Sequence, residues 1–175
     1  SPSMVERLQR WMRGESRPLL ELDAEVLDLL SPFHMLLNRS GQIIRCGSSL
    51  QKLASSELIG MTLHEAIQPV DAERGGQELN LRDLQGLEQR PLRLQLRHGV
   101  ELDLNAQLMV LNRDAQQRWL MDIRPAFCGH RGLEDAGLNL QDISLIDPLR
   151  TEMLDQLMEE SLRQELLDAL KDQRK

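Results

Sequence analysis

The sequence predicts an α+β domain: a five-stranded antiparallel sheet with short helices inserted after its second strand, a helical preface in front and a long helix behind. Three observations carry this. From Leu92 to Val110 apolar and polar residues alternate, with a break at His98-Gly99, which is the period of strands with one dry face and one wet face. Thr62 with Glu65 three residues on has the form of a capping box, and Pro69 stops what it begins. Beyond Pro148 the apolar residues recur at intervals of three and four, the period of an amphipathic helix. The chain is thereby divided into an N-terminal helical segment (1–30), a sheet domain (31–147) and a terminal helix (148–175).

Composition narrows the function before any motif does. With 175 residues, 41% of them apolar, there is enough chain for one cored domain and some extra helix. The net charge of −7 argues against nucleic acid, whose phosphates need a basic face. Two Trp, two Phe and no Tyr leave few platforms for base stacking. No apolar run reaches the roughly 18 to 20 residues of a membrane span, and the N-terminus has no signal-peptide pattern, so the expectation is a cytoplasmic protein without membrane contact. Cys46 and Cys128 match neither a disulfide framework nor a zinc site and read as reduced, buried small hydrophobes.

In chain order, Met4 to Arg13 sets Val5, Leu8, Trp11 and Met12 on one helical side, and Gly14 and Pro18 interrupt it. Asp23 to Leu30 is a second short helix, ended before Pro32. Phe33 to Asn38 and Gln42 to Gly47 form a hairpin about the turn Arg39-Ser40-Gly41. Ser48-Ser49 offers an N-cap to a helix carrying Leu50, Leu53 and Ala54, and Thr62 to Ile67 is the next helix. Val70 to Arg90 reads as a loop, with a brief strand or helix around Leu79 to Leu84. Leu92, Leu94 and Leu96, then Leu102, Leu104, Ala106, Leu108 and Val110, form the dry face of a long hairpin, with Arg97 across from Glu101 on the wet face. After a turn at Asn112-Arg113-Asp114, Trp119, Met121 and Ile123 alternate as a fifth strand. The order β-β-α-α-β-β-β is that of a PAS domain, a topology that curls a sheet around short helices and leaves a small-molecule-sized pocket between them. The inward-pointing Leu and Met residues favour a packed interior over an open one.

Between the sheet and the terminal helix lies Gly137-Leu138-Asn139-Leu140-Gln141-Asp142-Ile143, followed at Asp147 by an N-cap and at Pro148 by a first helical residue. Leu138, Leu140, Asp142, Ile143 and Asp147 are the candidate joint between domain and helix. Asp142 is expected to fix it by a salt bridge or by capping backbone amides. The expected dimer and signalling face comprises Met153, Leu154, Leu157, Met158, Leu162, Leu166 and Leu170. No single heptad register holds all of these, because the run from Leu154 to Leu170 steps by four and drifts around the helix. The same leucines and methionines would be core if the helix folded back on its own domain.

Four fragments in this order, Ser31-Pro32-Phe33-His34, Gln42 to Leu50, Gly60 to Pro69 and Gly137 to Ile143 with Asp147, resemble the haem-NO-binding-associated domain. This is the PAS-like module between the haem domain and the coiled coil of soluble guanylate cyclases, also found in bacterial kinases and cyclases. The resemblance covers roughly residues 31 to 160. It implies a regulatory module, without catalytic residues or a cofactor of its own, that dimerises as a homo- or heterodimer through its terminal helix and a parallel coiled coil. It implies as partner a haem-NO-binding domain, in cis or in trans, whose NO or O2 state is passed to a guanylate cyclase, diguanylate cyclase or kinase output. It further implies that the chain is a piece of a longer protein. The alternative is a PAS sensor that binds its own small molecule or haem.

The sharper chemical readings fail on spacing. His64-Glu65 begins a zinc-protease motif, but Gln68 stands where the second His is required. His64 as an axial haem ligand is weighed against a partly exposed helix residue, and His34 is read as structural. Cys128-Gly129-His130 has no companions to complete a metal site and reads as loop. Cys46 lies at a strand end rather than in the helix a flavin photosensor would need, Gly75-Gly76 precedes neither Lys nor a helix, and no Gly-x-Ser-x-Gly elbow occurs. No catalytic or metal site is predicted.

Overall fold

The computed structural model describes residues 3–12, 23–70, 86, 90–111, 117–127 and 129–174. The readings at Gly14 and Pro18, in most of the 70–90 loop, at the 112–114 turn and at Cys128 lie outside them, as do the side chains of Leu8, Trp11 and His130. Two helices come first, α1 (Met4–Met12) and α2 (Ala24–Leu30). The hairpin β1 (Met35–Leu37) and β2 (Ile43–Cys46) follows, then α3 (Ser48–Leu53), α4 (Leu63–Ala66) and β3 (Ile67–Pro69). Strands β4 (Leu92–Leu96), β5 (Leu104–Leu111) and β6 (Arg118–Pro125) lead to α5 (Gly129–Asp135), a 3₁₀ turn (Leu140–Asp142) and α6 (Pro148–Gln173).

Among the described residues the fold is α+β, with an antiparallel sheet of six strands, not five, in the order β2-β1-β6-β5-β4-β3. The extra strand corrects the expected helix over Thr62–Ile67. That helix stops at Ala66, and Ile67, Gln68 and Pro69 pair with Leu96, Gln95 and Leu94. Pro69 has no N–H to give a ladder, and β3 is an edge strand, where that loss is tolerated. The capping contact is present: Thr62 N donates to Glu65 Oε2 at 2.8 Å. Those bonds to Thr62 hold the Glu65 carboxyl below its ordinary range.

Two further expectations are corrected. The N-cap of α3 is Gly47, and Ser48 is already helical; a Cβ at Gly47 would stand 2.0 Å from the Pro32 carbonyl oxygen, so the chain crossing there needs glycine. Arg97 does not serve as the partner of Glu101, because its guanidinium donates to the His64 carbonyl and to Gln68 Oε1, tying β4 to α4. The wet-face ion pair of this hairpin is Arg93 with Asp103, at 2.9 Å. Gln95 Nε2 adds a 2.8 Å bond, and the two donors lower the Asp103 carboxyl.

Period-two patterning settles which sheet face is dry. Met35 and Leu37, Leu92, Leu94 and Leu96, Leu104, Ala106 and Leu108, and Trp119, Met121 and Ile123 are all buried. Leu50 and Leu53 of α3, Leu63 and Ala66 of α4, Leu133 of α5, Leu138 and Ile143 of the joint and Met153 of α6 join the same core. Met35, Leu37, Leu50, Leu53, Leu94, Leu108 and Met121 are each essentially without exposure. Side chains fill these positions, which is the packing favoured from the sequence. Among the described residues no helix is long and apolar enough to cross a membrane.

Candidate functional site

The joint is built from three consecutive local motifs. Helix α5 ends in a Schellman turn: Leu138 N donates to Leu133 O at 3.0 Å, and Gly137 N to Glu134 O at 2.8 Å. Gly137 takes φ +75°, the left-handed conformation that this cap requires and that glycine adopts without strain. Asn139 then starts the 3₁₀ turn. Its Oδ1 accepts from Gln141 N at 2.9 Å while Asp142 Oδ2 accepts from Asn139 N at 2.9 Å, so the two side chains cap reciprocally. Five residues on, Asp147 Oδ1 accepts from Leu149 N at 3.0 Å and Pro148 occupies the first helical position, so α6 starts where its cap and proline dictate.

Asp142 is the pivot of this run. It is 6% exposed, and its other carboxylate oxygen, Oδ1, lies 2.5 Å from Lys52 Nζ on α3. Its backbone carbonyl accepts from Ser49 Oγ at 2.7 Å, also on α3. Salt bridge and amide cap, posed from sequence as alternatives, are thus made by one side chain. A buried carboxylate is tolerable only when its charge is balanced and its lone pairs are used; Lys52 and the Asn139 amide meet that condition. Leu138 and Ile143 anchor the two sides of the turn in the core, and Leu140 packs against it.

The same corner receives the N-terminal segment. Ser144 Oγ donates to Leu30 O at 2.6 Å, and Ser48 donates to Asp28 through its backbone N–H (2.9 Å) and its hydroxyl (2.7 Å). Ser31 Oγ donates to Asp122 Oδ1 at 2.6 Å. Beneath lies His34, fully buried, with Nδ1 2.6 Å from the Ser31 carbonyl. A carbonyl only accepts, so Nδ1 carries the proton and the unpartnered Nε2 is a bare acceptor. Burial pushes the His34 pKa below its ordinary 6.5, against the opposing pull of the Ser31 bond and of Asp28 and Asp122. The cleft at this corner, lined in part by Leu30, Phe33, Ile143 and Leu149, has a volume of about 20 Å³, room for about one water.

The expected dimer face divides in two. Met153 is corrected to core: it is 1% exposed within its own domain, Leu149 packs beside it, and Leu157 is half-buried. Leu149, Met153 and Leu157 step by four and form the ridge that seats the helix. Leu154, Met158, Leu162, Leu166 and Leu170 form the neighbouring ridge and are 48 to 66% exposed.

The other candidates are quiet. His64 Nδ1 is 3.1 Å from Thr62 Oγ1 at the start of α4. Cys46 is half-buried, and burial together with the Asp28 and Glu57 carboxylates pushes its thiol up to about 12, a poor nucleophile. Gly129 opens α5, correcting the loop expected there. Among the described residues no group of three His, Cys, Asp or Glu side chains could hold a metal ion. Reasoning from sequence missed Lys52, Ser49, Ser144 and Asp28. Each is an ordinary polar residue whose partner lies 20 to 114 positions away, and no local spacing signals that. No protein-family model matches the chain, and no curated protein matches it.

Proposed function

We propose that this chain is a PAS-like dimerisation and signal-relay module of the haem-NO-binding-associated type. It couples a haem-based NO or O2 sensor domain, in cis or in trans, to a cyclase or kinase output. The observation that carries the reading is the contrast along α6: a core-seated start fixed by a clamped joint, and a projecting ridge of five large apolar side chains that the described residues leave about half exposed or more. Helices in proteins draw most of their stability from packing an apolar face, so such a ridge asks for a second helix to cover it. The element order, with two short helices between the first hairpin and the last three strands, supports the PAS-like reading. Mechanistically, two copies of α6 pack together, and a change at the joint alters that packing and the meeting of two output domains.

Light scattering on the chain and on a version ending at Asp147, with an absorbance spectrum of the same samples, tests this. A dimer that becomes a monomer on truncation, with no visible chromophore, is the expected result. A monomer in both forms overturns the relay through α6, and a coloured sample replaces it with a PAS sensor holding its own haem.

A further inference from the structure

We propose that α2 is the input arm of the joint, and that its position is passed to the start of α6 through the first turn of α3. The inference deepens the relay reading by naming where the signal enters, and it takes its functional meaning from that reading. Three observations support it. First, adjacent residues of α3 hold the two sides: Ser48 is bound twice by the Asp28 carboxylate of α2, and Ser49 donates to the Asp142 carbonyl. One turn on, Lys52 holds the Asp142 carboxylate. Six residues, fewer than two helical turns, can move as a unit because so short a helix has no internal joint of its own. Second, a parallel link joins the same two parties directly, from Ser144 Oγ to the Leu30 carbonyl. Third, α2 has no buried residue. Polar bonds hold it to the domain, so it can be displaced while the core stays closed.

The two-state element is therefore the clamp on Asp142. With α2 docked, Asp28 fixes the first turn of α3, Ser49 and Lys52 meet Asp142, and the 3₁₀ turn presents Asp147 and Pro148 in the geometry that starts α6. With α2 displaced, Ser48 loses both acceptors, α3 shifts at its N-terminus, and the bonds to Asp142 lengthen together. A partner domain attached to the N-terminal segment then controls α6 without touching it.

Hydrogen exchange of the whole chain, read by mass spectrometry, tests this with Asp28→Ala and with Glu25→Ala as a control on the same helix. Asp28→Ala is expected to speed exchange over residues 148–157 about tenfold, although Asp28 bonds to α3 and not to α6, and Glu25→Ala to leave that segment unchanged. Faster exchange confined to α2 and the start of α3 overturns the proposal. Should Asp28→Ala also accelerate exchange in β5 and β6, a sign of general loosening, Ser48→Ala decides by the same criterion, since it removes a single hydroxyl bond. Light scattering on the same samples separates the two readings. A monomer whose 148–157 segment responds to Asp28 sinks the dimer and leaves the arm, and a dimer whose segment does not respond sinks the arm alone.

Discussion

The start of α6 and its outer part are both rich in Leu and Met stepped by four, yet one is core and the other is surface. Over residues 148–157 the ridge Leu149, Met153, Leu157 faces the domain. From Met158 to Arg174 every residue is exposed, a projection of about 24 Å at 1.5 Å per residue. Both parts carry large apolar side chains; within 148–157 one of two neighbouring ridges faces the domain, and beyond Leu157 neither does. An apolar helical stripe therefore does not distinguish core from surface, and the way the joint sets the start of the helix does.

The strongest way to break this contrast is to hollow the seated side. Met153→Ala should cost about 3 kcal/mol in urea unfolding, whereas Leu162→Ala should change the unfolding of a chain held monomeric by dilution by less than about 0.5 kcal/mol. Equal losses at both positions would show that the outer ridge is also packed. Next in size is the clamp. Asp142→Ala removes a cap and an ion pair and leaves Lys52 and the Asn139 amide without their acceptor, a loss on the order of 2 kcal/mol. Lys52→Met keeps the cap and should cost less than Asp142→Ala.

A smaller effect sharpens the contrast by pH. His34 has its folded pKa lowered below 6.5, so the unfolded chain takes up its proton first as pH falls. The stability tied to the neutral, buried ring is complete above pH 6.5 and is lost between 6.5 and the lower folded value. Melting followed across that range should show a slope that His34→Gln reduces, while the helicity of a peptide spanning 158–174 should not share it. Smallest of all is a rate. With its thiol near 12, Cys46 should react with a disulfide reagent at pH 8 at least tenfold more slowly in the folded chain than in urea. Equal rates would mean that the corner beside α2 opens freely.

Much of this architecture is written in short-range chemistry. Alternation at Leu92 to Val110 and at Trp119 to Ile123 marked the long strands, because a half-buried sheet imposes period two whatever surrounds it. Asp147 with Pro148, and Thr62 with Glu65, marked helix starts, because a cap and its amide lie within three residues of each other. The six-stranded count was hidden because Ile67-Gln68-Pro69 carries a strand only once β4 lies alongside; by itself it reads as the end of a helix. The clamp of the candidate joint was only half visible. Asp142 stood out with Asp147 at the joint, whereas Lys52 is 90 residues away and looks like any solvent-facing lysine.

The sequence by itself determined the elements whose stabilising partners lie within a few residues: the long strands, the caps at Thr62 and Asp147, and the amphipathic terminal helix. Tertiary structure alone decided which ridge of that helix is buried, which polar residues hold the joint, and that the segments before Ser31 and after Asp142 meet at one corner. The physical reason is range. Periodicity and capping act through neighbouring backbone groups and leave a local signature, while the choice among equally apolar faces and the pairing of Lys52 with Asp142 exist only after the sheet has brought distant segments together.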